Sequence, residues 1–309
     1  MDKIRMKALR EAFGNRLHEY VSMANYTTAR VGGHAPALVS IHSLDELISA
    51  ARTLWDHDIE FRILGSGSNL LISDNDLDFV ILHNRAHNIK IDSKAEAPTI
   101  HAESGAIFGT IARQSALRGL SGMEWAAPIP GTVGGAVYGN AGAHGSDMAN
   151  SLKMATILHK TEGINDWPVR ELAYQYRSSV LKRERLPVVI LSAVLNVTRS
   201  NREEAWEKVK EFQMRRKETQ PPGASMGSTF KNPENDYAGR LVEAAGLKGR
   251  RIGQAMISPI HANFIINLGG AKAKDFSKLM ILAQNAVNEK FGILLEPEIE
   301  LIGEFEYDK

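Results

Sequence analysis

Apolar residues recur at helical spacing at Leu44, Leu47, Ile48, Ala51, Leu54 and Trp55. A helix is predicted there, opened by a capping box of Ser43 and Glu46. Strand-like residues 37–41 precede it and 59–64 follow, so the first recognisable unit is β-α-β. Further strands are expected at 79–82, 89–91 and 99–103, and residues 107–118 read as a helix ended by Gly119, glycine being favoured just past a helix end. Strands near 153–158 and 187–197 come next. A second capping box, Ser200 with Glu203, opens a helix reaching about residue 216. Short elements at 237–245, 254–257 and 263–267 lead to an amphipathic helix, 274–290, with Phe276, Leu279, Met280, Ala283 and Val287 on one face. The alternation of Glu298 and Glu300 with Ile299 and Leu301 predicts a closing strand that carries Glu298.

Two stretches break these periodicities. Residues 125–146 hold Gly131, Gly134, Gly135, Gly139, Gly142 and Gly145, and are expected as one loop-like run. Glycine that dense costs backbone entropy and suits a chain lying close against a ligand. The apolar Ile129, Val133, Ala136 and Val137 would be wasted in a solvated linker, and the backbone N–H groups from Ile129 to Ala136 suit pyrophosphate oxygens. The second stretch, Gly65-Ser66-Gly67-Ser68-Asn69-Leu70-Leu71, suggests the dinucleotide fingerprint but has Leu70 at the third glycine, and 73–76 is Ser-Asp-Asn-Asp where that fingerprint needs a helix. A phosphate-binding turn remains.

With 309 residues the chain exceeds what one core usually holds. Three domains are expected, at 1–85, 86–200 and 201–309. A formal net charge of +1 gives no footprint for nucleic acid. The absence of cysteine removes disulfides and thiolate metal sites and favours a reducing compartment. Met1 to Arg16 has no apolar core of a signal peptide, and no run is long enough to cross a membrane, so a cytoplasmic protein is expected. His83 and His87, the one pair at metal-like spacing, lie in a polar segment, and no metal is expected.

Three polar residues stand in unusual company. Ser228 follows Gly227 and precedes Phe230, Lys231 and Asn232; Arg177 follows Tyr174 and Tyr176; Glu298 lies near the end. Taken singly, a Gly-Ser turn, a surface ion pair and a solvated strand face account for them equally well. The Gly-x-Ser-x-Gly setting of an acyl-transfer serine is absent.

In their order along the chain, however, these blocks resemble the UDP-N-acetylenolpyruvoylglucosamine reductase (MurB) family of flavoenzymes. The resemblance runs through Tyr26-Thr27-Thr28 with Gly32-Gly33, the 65–71 block, Ile129 to Gly135, Asn140-Ala141-Gly142-Ala143, Tyr176-Arg177, Gly227 to Pro233, and Glu298. It implies an α+β chain: a two-subdomain FAD-binding fold of the vanillyl-alcohol oxidase (PCMH) type, made of the first two domains, and a C-terminal α+β substrate-binding domain whose last strand packs back on the first part. Noncovalent FAD would be held by Gly65, Ser66, Gly67, Ser68, Asn69, Leu70, Pro130, Gly131, Thr132, Gly134, Gly135, Asn140, Ala141 and Gly142.

The implied reaction uses NADPH to reduce UDP-N-acetylglucosamine enolpyruvate to UDP-N-acetylmuramate in peptidoglycan precursor synthesis, with hydride passing through flavin N5. Ser228 would give the proton that completes it, Arg177 would hold the substrate carboxylate as charge grows on it, and Glu298 would polarise or protonate that carboxylate. Tyr176, Lys231 and Asn232 would bind the diphosphate and sugar, a solvated lysine being as good an account of Lys231. A monomer is expected.

The sequence departs from the family pattern at Pro128, Ala29 and Tyr138, which bears on loop detail. The span from Arg177 to Ser228 has no room for the extra tyrosine-bearing loop of one branch, so the chain resembles the compact second type. The alternative is a noncovalent FAD oxidase or dehydrogenase of alcohols or sugars on the same fold. A non-catalytic nucleotide-binding protein is the third reading, and it leaves Arg177, Ser228 and Glu298 unexplained.

Overall fold

The computed structural model describes residues 2–305. The chain divides into two compact units that do not follow sequence order: Met1–His18, Ala37–Gly65 and Phe79–Arg216 form the first, and Glu19–Pro36, Ser66–Asp78 and Lys217–Lys309 the second.

The first unit contains the β-α-β motif expected from the amphipathic pattern. The strand ending at Ile41 and the Phe61–Leu64 strand both pair in parallel with Val80–Asn84, which lies between them. Their connecting helix, Leu44–Asp56, buries Leu47, Ala50, Ala51 and Leu54. Ser43 caps it by accepting the Glu46 N–H at 3.2 Å, while the Glu46 carboxylate takes the His42 N–H at 2.7 Å, so two otherwise orphaned donors are satisfied.

A second sheet in this unit is wholly antiparallel, in the order Gly163–Pro168, Leu152–His159, Val188–Asn196, Thr99–Glu103, Ile89–Asp92. Buried Ile100, Ala102, Ala155, Ile157, Ala193 and Leu195 give it an apolar face, which shares one core with the helix Phe108–Ala116. There Phe108 meets Trp125 edge-on, with ring centroids 5.3 Å apart.

One expected cap is displaced. The helix near residue 200 runs from Arg202 to Thr219, and the N–H groups of Glu203 and Glu204 go to Asn201 Oδ1 at 2.8 and 3.4 Å. Asn201, not Ser200, opens it. Ser200 is held in a strand-like contact instead, its N–H donating to Gly119 O at 2.8 Å.

The second unit is built on a four-stranded antiparallel sheet in the order Ala224–Ser228, Phe264–Asn267, Ala255–Ile257, Arg251–Ile252. The helix Ala273–Phe291 buries the face read from the sequence: Phe276, Leu279, Met280, Ala283 and Val287. Its first amides are satisfied from far along the chain, because the Asp74 carboxylate accepts from Ala273 N–H at 2.8 Å and Lys274 N–H at 2.9 Å. The negative charge also suits the positive end of the helix dipole. The Glu300–Ile302 strand pairs in parallel with Leu70–Ile72. Glu298 therefore precedes the closing strand instead of lying in it. Pro297, which has no N–H to give a ladder, sits in an isolated bridge with Phe230 just before it.

Candidate functional site

In the first unit Gly65, which opens one glycine-rich stretch, meets Thr132 of the other. A Cβ on Gly65 would lie 2.4 Å from Thr132 Oγ1, so only glycine lets these turns touch. Residues 133–139, expected as loop, form a short helix, Val133–Gly139. Glycines are poor helix formers, and this helix is held from outside: Val133 N–H donates to Ala106 O at 3.0 Å and Gly134 N–H to Ser104 O at 2.8 Å. Gly134 also lies close against Ser104, whose Cβ would stand 3.1 Å from an added side chain. With Ile129 N–H bonded to Ala126 O and Ala136 N–H to Thr132 O, four of the amides counted as phosphate donors are consumed by the protein. The Gly65–Leu71 block runs into the Leu70–Ile72 strand, with no helix where the dinucleotide fingerprint would need one. Within that block Ser66 Oγ is buried and has no hydrogen-bond partner among the described residues.

The helix ends at Asn140, in the left-handed region at φ 47°. The side chain of Asn140 bonds at both ends of its amide, donating to Gln175 O at 3.0 Å and accepting from Ala149 N–H at 3.0 Å. It ties the glycine run to the segment that carries Arg177. There Gln175 and Ser178 exchange both backbone bonds, 2.9 and 3.1 Å, leaving Tyr176 and Arg177 as the two residues of a tight turn. Arg177 has φ 55°, a conformation that costs an L-residue about 1 kcal/mol. The guanidinium lies over the Tyr176 ring, 5.4 Å from its centroid, and its Nη1 would be 3.0 Å from a Cβ on Gly142. Tyr176, Arg177, Gly142, Asp147 and Asn150 line a cavity of about 250 Å³.

Two titratable groups border this region. Tyr174 donates its hydroxyl to Val137 O at 2.9 Å, and burial, with the nearby Asp147 charge, pushes its pKa up, so it stays a neutral donor. The His144 ring stacks on Phe212 at 4.2 Å, and burial followed by the Arg215 charge lowers its pKa.

The second unit gathers Ser228, Lys231 and Glu298. Gly227, at φ 77°, precedes Ser228, and the strand is bulged between Ser225 and Ser228 before Ser228 pairs with Phe264. Glu298 N–H donates to Thr229 O at 2.9 Å and Lys231 N–H to Glu296 O at 2.8 Å, so Glu298 lies on the extended segment facing the serine segment. Asn69 adds a clasp, its Nδ2 donating to Glu298 O at 3.3 Å while its carbonyl accepts the Glu300 N–H at 3.0 Å. The Lys231 side chain is 16% exposed and ion-paired with Glu296, which is not the setting of a solvated lysine. Asn232 is exposed, and its Oδ1 accepts from Ala238 N–H at 3.1 Å.

Sequence reasoning missed two residues of this neighbourhood. Thr28 Oγ1 lies 2.7 Å from Ser225 O and 3.2 Å from Gly67 O. Asn263 holds the backbone of Phe230 from the other side. Thr28 sits in a quoted block, but a single hydroxyl there carries no periodic signal, and Asn263 reads only as the first residue of an apolar strand.

Two family models match the chain. Residues 218–302 match the C-terminal domain of UDP-N-acetylenolpyruvoylglucosamine reductase, and residues 35–163 match an FAD binding domain. A UDP-N-acetylenolpyruvoylglucosamine reductase of Caldicellulosiruptor bescii is 44% identical over 288 residues, covering 92% of this chain and 90% of that one. The Bacillus subtilis protein of the same name is 38% identical over 305 residues, covering 98% and 99%. Among solved structures, that of the reductase from Thermus caldophilus superposes with a TM-score of 0.78 at 34% identity, over 92% of this chain and 98% of that one.

Proposed function

The chain belongs to the UDP-N-acetylenolpyruvoylglucosamine reductase family, and on that premise we propose that Arg177, Ser228 and Glu298 divide the work of its reaction. The protein is an FAD-dependent oxidoreductase that reduces UDP-N-acetylenolpyruvoylglucosamine with NADPH, in peptidoglycan precursor synthesis. The oxidase or dehydrogenase alternative is not favoured, since relatives matching over nearly the whole chain bear the reductase name.

The residues present fit FAD. The buried Ser66 hydroxyl is a polar atom with no hydrogen-bond partner among the described residues, and the close approach of Gly65 to Thr132 keeps side chains out of the same turn. With Val133 and Gly134 N–H already bonded, Gly131, Thr132 and Gly135 are the amides of the run that we assign to phosphate oxygens. Gly67, Ser68, Asn69, Leu70, Pro130, Ala141 and Gly142 complete the proposed cofactor contacts, whereas Gly134 and Asn140 act through packing and tethering. When bound, FAD would supply the two-electron relay between NADPH and the enolpyruvyl double bond.

Each side chain then has a distinct task. Arg177 presents a planar fork of donors, suited to a carboxylate on which negative charge grows. Ser228 delivers a proton to the carbon next to that carboxylate. A serine hydroxyl is a weak acid, so this depends on placement against a strongly basic carbon, a task we assign to the bulge between Ser225 and Ser228 that contains Gly227. Glu298 acts on the same carboxylate. Tyr176, Lys231 and Asn232 bind the diphosphate and sugar, with Lys231 exchanging its Glu296 partner for phosphate.

The observation that carries this reading is the pairing of the Ser228 segment with the Glu298 segment, which brings together segments whose residues are 70 positions apart. Among the described residues no helix is long and apolar enough to cross a membrane. We infer a cytoplasmic monomer, in keeping with a cysteine-free chain and nucleotide substrates.

An anaerobic titration tests the whole reading. NADPH should bleach the yellow protein, and UDP-N-acetylenolpyruvoylglucosamine should then restore the oxidised spectrum. Bleaching that this substrate cannot reverse would overturn it.

A further inference from the structure

The segment that carries Ser228 changes partners within three residues. Ser228 pairs with Phe264, but from Thr229 onward the chain pairs with 296–298, through Glu298 N–H to Thr229 O at 2.9 Å and Lys231 N–H to Glu296 O at 2.8 Å. Between those two bonds Phe230 stands opposite Pro297. Residues opposed in this way do not bond to each other, so the N–H and C=O of Phe230 point to the opposite side. The neighbouring strand does not cover that side, because it begins only at Phe264.

Asn263 fills the gap with its side chain. Its Oδ1 accepts the Phe230 N–H at 2.9 Å and its Nδ2 donates to Phe230 O at 2.8 Å, while its own carbonyl accepts the Thr229 N–H at 2.8 Å. A primary amide, one donor beside one acceptor, is the side-chain group that can replace a strand residue in both bonds. Phe230 is 2% exposed and Asn263 4%, so water cannot substitute for either bond. Asn263 is itself fixed, its N–H donating to His261 Nδ1 at 3.2 Å. The three bonds pin the crossover at which Ser228 leaves one strand and Glu298 faces the next.

We propose that Asn263 is a positioning residue for proton delivery: its carboxamide holds Phe230 in place of a strand and thereby sets Ser228 relative to Glu298. The inference rests on the role given to Ser228 above. It separates Asn263 from a merely structural asparagine by one consequence, that the proton-requiring half of the reaction suffers and the other half does not.

Asn263→Ala removes both side-chain bonds. Asn263→Asp is isosteric, keeps the acceptor for Phe230 N–H and loses the donor to Phe230 O, so it carries the test should the alanine variant not fold. Each purified FAD-loaded variant is reduced anaerobically with NADPH and then mixed with UDP-N-acetylenolpyruvoylglucosamine in H₂O and in D₂O. The proposal expects wild-type reduction, reoxidation slowed roughly a hundredfold, as a misplacement near 1 Å does, and a larger solvent isotope effect on reoxidation. Equal loss in both halves, wild-type reoxidation, an unchanged isotope effect, or failure of both variants to hold FAD would overturn it. Ser228→Ala is run beside them. If that variant also reoxidises at the wild-type rate, the serine reading itself fails; if it is slow and the Asn263 variants are not, only the positioning role falls.

Discussion

Arg177 sits at the tip of a turn whose residues bond to one another, Gln175 to Ser178 in both directions, and a positive φ aims its guanidinium. Ser228 is placed by partners far along the chain: Phe264 on one side, the 296–298 segment on the other and the Asn263 amide at the crossover. The first arrangement concentrates its strain in one residue. The second spreads control over segments 35 to 70 positions away. A change near Arg177 should therefore act through the turn and its distant tether, the Asn140 bond to Gln175 O, while Ser228 should answer to several substitutions that never touch substrate.

The sharpest way to break this contrast is to remove the side chains themselves. Ser228→Ala is expected to lower kcat by about 10² to 10⁴, the range for loss of a positioned acid. Steady-state turnover with NADPH checks this, and a loss below tenfold would remove Ser228 from the chemistry. Arg177→Lys keeps the charge and loses the fork, and should lower kcat/KM by about 10². Full turnover in that variant would mean that charge alone, without the geometry of the turn, is enough.

A smaller effect tests the junction of the glycine loops. Gly65→Ala puts a methyl 2.4 Å from Thr132 Oγ1, and the FAD Kd measured by flavin fluorescence should rise about tenfold, equivalent to roughly 1.4 kcal/mol of lost affinity. Gly65→Ala with Thr132→Ala relieves the clash and should recover part of the loss. The smallest effect lies away from the chemistry. Asp74→Ala uncaps the Ala273–Phe291 helix and should cost about 1 kcal/mol of stability in urea unfolding, with kcat unchanged.

The same contrast explains what the sequence could be read for. The faces of the Leu44–Asp56 and Ala273–Phe291 helices were legible because their buried residues repeat at helical spacing. The meeting of the Gly65 and Thr132 turns could be anticipated only as two separate glycine blocks. The helix Val133–Gly139 was hidden because Gly134 and Gly135 argue against helix locally, and the carbonyls of Ser104 and Ala106 that hold its start lie some 30 residues earlier. Glu298 read as a strand residue from alternation alone, but Pro297 and the Phe230 bridge delay the strand to Glu300. Asn263 left no trace, since one polar residue before an apolar strand looks like any strand start. The interleaving of the two units, which draws residues 19–36 and 66–78 into the second, depends on pairings no local pattern encodes.

The central claim is that Ser228 serves only the half of the reaction that needs a proton. Reduced Ser228→Ala, mixed anaerobically with UDP-N-acetylenolpyruvoylglucosamine in a stopped-flow instrument, tests it directly. The account predicts flavin reduction by NADPH at the wild-type rate and reoxidation by substrate slowed by about two orders of magnitude or more. Equal slowing of both halves, or reoxidation at the wild-type rate, would contradict it.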